Sequence, residues 1–237
     1  MTMIADNLHQ VRARIRAAAV AAGRDPAAAQ LLAVSKTFGP DAVRAAFAAG
    51  QCAFGENYIQ EAVEKITALA DLRSQLEWHC IGPIQSNKTR LVAEYFDWVH
   101  TVDRLKIAQR LSDQRPGTLA PLQVCIQVNV DGGATKSGVT AGEALALARE
   151  VAALPRLQLR GLMCIPEPAP DFVAACAVFT GARGLFDALN AQGMALDTLS
   201  MGMSADLEAA IHSGSTLVRV GSAIFGARNY GGLPAAH

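Results

Sequence analysis

Eight short runs of apolar and β-branched residues, each followed by an alanine-rich stretch with helical spacing, constrain this chain more than any other feature. The runs fall near 31–36, 52–55, 76–81, 97–101, 122–129, 157–164, 196–200 and 216–220. The helical stretches lie near 40–49, 58–70, 84–94, 104–113, 141–153, 170–190 and 205–213, with a short last one from Ser222. Strands that alternate with helices pair in parallel, because a crossover long enough to hold a helix returns the chain to the same end of the sheet. Eight such units in 237 residues match the size of a closed barrel. The expected fold class is therefore α/β, a single (β/α)8 TIM barrel, with an open doubly wound sheet as the alternative. No G-x-G-x-x-G follows the first strand, so a dinucleotide-binding sheet loses its best support. Ahead of that strand, Ile4, Leu8, Val11 and Ile15 recur at helical spacing among Arg12, Arg14 and Arg16, which predicts an extra N-terminal helix.

Local signals agree with this order. Pro40 suits a first helical turn, Asp103 an N-cap, Thr140 with Glu143 a capping box, and Gly50 and Gly214 helix ends. No linker rich enough to divide the chain is present, so residues 1–237 read as one domain. Lys and Arg number 21 against 21 Asp and Glu, which argues against nucleic acid and against a membrane surface as partner and leaves a small molecule. Five scattered cysteines without a C-x-x-C pair argue against a disulfide framework and a zinc site, and suit a reducing cytoplasm. The N-terminus lacks the basic-then-apolar pattern of an export signal, and no stretch reads as long and apolar enough to span a bilayer.

In a barrel of this kind the chemistry gathers where strands end and the following loops begin, and the strand ends here are unusually polar. Lys36 ends the first, Glu56 and Asn57 follow the second, His79 sits in the third, Asn129 ends the fifth, Ser200 ends the seventh and Arg219 lies in the eighth. All are expected at one mouth. Lys36 at the rim of an apolar strand reads either as an amine whose desolvation frees it to attack a carbonyl, or as a lysine that snorkels to water. The others have plain readings too: Asn57 as a helix cap, His79 as a hydrogen-bonded core histidine, Arg219 as the partner of a carboxylate. Two segments suit a phosphate: Met201 to Asp206 after the seventh strand, and Gly221-Ser222-Ala223 after the eighth. Glycine allows close approach and serine offers a hydroxyl at backbone N–H groups left unpaired where a helix starts. Ser204 reads alternatively as only the N-cap of 205–213, the more common role for an isolated serine.

Six ordered motifs carry a resemblance that runs from about residue 4 to 230. They are L-x-A-V-S-K-T at 31–37, F-G-E-N-Y at 54–58, W-H-C-I-G-P-I-Q-S-N-K at 78–88, T-K-S-G at 135–138, L-S-M-G-M-S at 199–204 and V-R-V-G-S-A-I-F-G-A-R at 218–228. Together they resemble the pyridoxal phosphate homeostasis protein family, whose barrel is similar to the N-terminal domain of alanine racemase. The resemblance implies that pyridoxal 5′-phosphate is held as a Schiff base on Lys36. It also implies that Ser204, Gly221 and Ser222 hold the phosphate, that Arg219 faces the pyridine nitrogen, and that Asn57, His79 and Met201 line the pocket.

An arginine keeps its proton, so Arg219 beside the ring nitrogen disfavours a pyridinium and makes the cofactor a poor electron sink. The expected function is therefore a cytoplasmic, monomeric carrier or buffer of the cofactor, not an enzyme, with transient transfer to apo-enzymes and indirect effects on amino acid and keto acid balance. A pyridoxal phosphate-dependent amino acid racemase is the alternative, and a cofactor-free Schiff-base aldolase the third reading. Lys136, in a glycine-rich stretch, reads as a surface lysine or as a second acceptor for the aldehyde.

Overall fold

A computed structural model describes residues 2–132 and 137–226. Its eight strands close into one parallel barrel in chain order. They are β1 (Gln30–Val34), β2 (Ala53–Glu56), β3 (Glu77–Cys80), β4 (Trp98–Val102), β5 (Leu122–Gln127), β6 (Leu157–Met163), β7 (Thr198–Met203) and β8 (Leu217–Val220). Register closes between the first and last strands, where Leu32 faces Arg219 and Ala33 faces Val220. The helices are α1 (Met3–Ala21), α2 (Pro40–Ala48), α3 (Ile59–Ala68), α4 (Thr89–Tyr95), α5 (Leu105–Gln114), α6 (Ala141–Ala152), α7 (Phe172–Ala191), α8 (Leu207–His212) and α9 (Ser222–Phe225). The (β/α)8 expectation and the extra N-terminal helix both hold.

α1 buries Leu8, Val11, Ile15, Ala18 and Ala19, the residues of one helical stripe. It packs across α8 and α9, where Arg14 pairs with Glu208 and the Asn7 amide donates to the Ile224 carbonyl at 2.9 Å. The capping box at Thr140 and Glu143 forms as its spacing predicts, and Pro40 opens α2.

Other expectations are corrected. Asp103 does not cap α5; its carboxylate accepts from Arg104, and the helix starts without a side-chain cap. The helix expected over 84–94 is a 3-10 turn at Ser86–Lys88 followed by the shorter α4. α7 is long and apolar enough to cross a membrane by composition, contrary to the reading that no segment is. It lies on the barrel, with Ala175, Phe179, Ala182, Phe186 and Leu189 buried at intervals of three and four.

Alternate side chains of each strand enter the barrel. Leu32, Val34, Ile81 and Leu217 form one inner cluster, and Trp98, Cys125 and Met163 another. The opposite faces meet the helices in the main core, which includes Phe54, Trp78, Phe96 and Phe179. Burial pushes the thiols of Cys80 and Cys125 up to about 12. Strand closure is tight at Gly161, where a β-carbon would lie 1.6 Å from the Thr198 carbonyl oxygen.

Candidate functional site

Parity along the strands decides which polar residues reach the carboxyl-end mouth. On β1 the inward series Leu32, Val34 continues past the strand to Lys36, and on β2 the same alternation carries through Gly55 to Asn57. A cavity of about 390 Å³ lies there, lined by Val34, Lys36, Asn57, Ile81, Ile165, Met203, Ser204, Ala205, Arg219, Gly221 and Ser222. That volume falls in the range of small-molecule sites. Six of the eight expected site residues therefore share one cavity: Lys36, Asn57, Ser204, Arg219, Gly221 and Ser222. The apolar walls Val34, Ile81, Ile165 and Met203 were not singled out from sequence, although Val34 and Ile81 share strand parity with Lys36 and His79.

His79 and Met201 do not line this cavity. His79 is one inward layer below Ile81, within the barrel, and stacks on Trp98 with ring centroids 5.2 Å apart. Met201 is buried in the outer core, because β7 continues to Met203 instead of ending at Ser200, and period-two alternation turns Met201 away from Ser200. Glu56 also points outward, Asn129 lies off the cavity lining, and Ser200 is buried one layer down. Ser204 is not an N-cap; α8 starts after Asp206, whose carboxylate accepts from the Met203 N–H at 2.6 Å. Lys136 lies outside the described residues, as do Tyr230 and the tail beyond it.

The turn that carries Lys36 is clamped from behind. Glu56, fully buried, accepts from the Ser35 hydroxyl and from the Lys65 ammonium, both at 2.6 Å. Lys65 is itself only 3% exposed, and also donates to the Ser35 carbonyl at 2.9 Å and to Glu61 at 3.1 Å. Glu61 in turn accepts from the Thr37 backbone N–H at 2.7 Å. Thr37 adopts φ 69°, a left-handed conformation unfavourable for a β-branched residue. The residues on both sides of Lys36 are thus fixed, and its backbone is held while the amine extends to the cavity.

Across the mouth, Arg219 is nearly fully buried and donates to the Ser200 carbonyl at 2.8 Å, to Ser200 Oγ at 2.7 Å and to the Cys164 carbonyl at 2.9 Å. It meets no carboxylate among these partners. Burial lowers its pKa from the ordinary 12.5. Of five guanidinium N–H groups three are committed, which leaves two uncommitted among the described residues. Asn57 Oδ1 is buried with no hydrogen-bond partner among the described residues. Gly221 comes so close to β1 that a β-carbon would lie 3.1 Å from the Val34 carbonyl oxygen.

Below Arg219 lies His100, fully buried and held well below the ordinary 6.5, first by burial and then by His79 and Arg219. It is neutral in the folded barrel, whereas the unfolded chain takes up a proton there below about pH 6.5. Stability is therefore expected to fall as pH drops below that value, by up to about 1.4 kcal/mol per pH unit for this one group. Urea unfolding of the wild type and His100→Gln at about pH 7.5 and 5.5 checks this; an identical pH dependence in the two proteins would contradict it.

The chain and its barrel have known relatives. The sequence model for the alanine racemase N-terminal domain matches residues 7–229. The chain is 62% identical over 231 residues to the pyridoxal phosphate homeostasis protein of Pseudomonas aeruginosa, covering 98% of each. It is 36% identical to PipY of Synechococcus elongatus, solved with pyridoxal phosphate bound, covering 94% of this chain and 100% of that one at a TM-score of 0.81. Alanine racemase from Corynebacterium glutamicum, 19% identical, shares the fold at a TM-score of 0.68, covering 98% of this chain and 63% of the racemase.

Proposed function

Because this chain belongs to the pyridoxal phosphate homeostasis protein family, we propose that it binds pyridoxal 5′-phosphate at the carboxyl-end cavity and serves as a carrier or buffer of that cofactor. The observation that carries this reading is the meeting of Lys36, Arg219 and the two serine-bearing turns around one cavity. The donor set fits the group. Ser204 and Ser222 supply hydroxyls to a phosphate, Gly221 lets the backbone approach it, Arg219 has N–H groups to spare for the ring nitrogen, and Asn57 Oδ1 is an unused buried acceptor.

When bound, the cofactor supplies an aldehyde that condenses with a primary amine and releases water. Lys36 provides that amine on a fixed backbone, and Val34, Ile81 and Ile165 form an apolar wall beside it. Arg219 is a permanent donor, so it orients the ring without protonating it, which favours storage over carbanion chemistry. Transient delivery to apo-enzymes, a monomeric state and a cytoplasmic location go with this reading.

Adding pyridoxal 5′-phosphate to the purified protein is expected to produce a visible absorbance band, and borohydride to bleach it with covalent retention of the cofactor. Lys36→Ala is expected to lose the band completely while keeping the far-ultraviolet circular dichroism of the wild type. A wild type that takes up no cofactor would end the proposal. Rapid α-deuterium exchange in amino acids, well above that of free cofactor, would turn it towards a racemase.

A further inference from the structure

On the basis of the cofactor reading above, we propose that Glu77, His79 and His100 are positioning residues for Arg219, joined to it through Ser200 in a hydrogen-bonded strut that makes the cavity respond to protons. The strut is continuous. Arg219 donates to Ser200 Oγ at 2.7 Å, Ser200 Oγ meets His100 Nδ1 at 2.9 Å, His100 Nε2 meets His79 Nδ1 at 2.9 Å, and His79 Nε2 meets Glu77 Oε1 at 2.8 Å. His100 is wholly buried and His79 is 1% exposed, while the Glu77 side chain is 50% exposed. Glu77 lines a second cavity of about 710 Å³ with Trp98, Arg73 and Arg160 at the amino ends of the strands. One mouth of the barrel is therefore wired to the other.

With both rings neutral, the two ends fix the direction of every bond. The hydrogen bond to His79 lowers the Glu77 pKa, so Glu77 is an accepting carboxylate and His79 Nε2 carries a proton. With His79 neutral, its Nδ1 accepts from His100 Nε2; His100, also neutral, then accepts at Nδ1 from the Ser200 hydroxyl. Ser200 Oγ is left to accept from Arg219, which can only donate. All four contacts are satisfied in one sense, with no proton to spare.

The surroundings leave one place for an added charge. Around the two rings, among the described residues, Arg219 comes from β8, the protonated Cys125 from β5, and Arg160 from β6, 4.8 Å from the Trp98 ring centroid and paired with Asp197 ahead of β7. β1 and β2 present the uncharged Leu32, Val34 and Gly55. Glu77 is the carboxylate that touches an imidazole. A proton that reaches the buried Ser200 hydroxyl displaces the hydroxyl's own proton to His100 Nδ1. The Nε2 proton of His100 then passes to His79 Nδ1, and the charge rests beside Glu77. One proton has been gained, and the Ser200–His100 and His100–His79 hydrogen bonds have both reversed their sense. His100 now donates to Ser200 Oγ, so this oxygen receives two donors, and the Arg219 contact weakens. The hold of Ser200 Oγ on Arg219 loosens, while the bonds from Arg219 to the Ser200 and Cys164 carbonyls stay.

The cofactor arm of the test follows the visible band of loaded wild type and Glu77→Gln while cofactor is released to an excess of apo-enzyme, from about pH 5.5 to 8.5. Release from the wild type is expected to speed up severalfold as pH falls, and Glu77→Gln, which accepts from His79 but cannot balance its charge, to move the midpoint down by about one pH unit. The second arm needs no cofactor: ¹⁵N spectra of the unloaded wild type are expected to show His100 passing from the Nε2–H to the Nδ1–H tautomer over the same range. Superimposable release profiles, or a His100 tautomer that stays fixed, would overturn the strut. Should the wild type take up no cofactor, the functional reading fails and the imidazole spectra alone decide this inference.

Discussion

Lys65→Met is expected to lower folding stability by about 3–5 kcal/mol, the usual cost of leaving a buried charge without its partner. Lys65 is 3% exposed and Glu56 0%, their contact through Glu56 Oε1 is 2.6 Å, and Glu56 Oε2 has no hydrogen-bond partner among the described residues. Burial already raises the Glu56 pKa above the ordinary 4.5 despite the opposing pull of Lys65 and Ser35. Without the ammonium it rises further, so the folded variant binds a proton more readily than the unfolded chain, and stability returns as pH falls through the raised value. The deficit measured by urea unfolding is therefore expected to be largest near neutrality and to shrink in acid. Adding Glu56→Gln should recover much of it, because an amide is cheaper to bury than an unpaired carboxylate. A loss below about 1 kcal/mol, or one that does not change with pH, would show that water reaches the pair.

Gly161→Ala is expected to be as damaging, by about 3 kcal/mol or more, through an unrelated cause. The added β-carbon would sit 1.6 Å from the Thr198 carbonyl oxygen and 2.6 Å from its carbon. Backbone cannot rotate aside as a side chain can, so β6 and β7 must part or the variant must leave the barrel closed around a strained seam. The register shift between Val124 and Cys125, which face Leu159 and Gly161, places this glycine where β6 bends. Thermal melting and amide exchange along β6 and β7 would detect the change. A melting temperature equal to the wild type would mean that the strands are further apart than described.

The barrel was legible because each β-branched run is short and each alanine-rich stretch obeys a single period, so local pattern and global topology agree. Lys36, Asn57 and Arg219 were legible for the same reason, as polar residues that interrupt or directly follow apolar strands. Met201 was misplaced because the sequence reading ended β7 at Ser200, whereas the strand runs on to Met203 with an irregular register. His79 has the inward parity that was expected, but depth along a barrel is not written in alternation: Ile81, two positions later, is what reaches the mouth. The clamp of Lys65 and Glu56 behind Lys36 left no sequence signal beyond a lysine on the apolar side of a helix. The strut beneath Arg219 joins residues up to 100 positions apart, and no local pattern announces such a contact.

On the proposed function, the turn at Thr37 makes the neighbouring lysine a ready-made attachment point. Its left-handed backbone is an unfavourable state that the protein already maintains through the Glu61 contact with nothing attached. Capture then needs little further ordering of the chain, and departure returns little entropy. On the proposed function, this small difference between laden and empty forms suits a depot that fills and empties with the surrounding concentration, and not a trap that closes on its cargo.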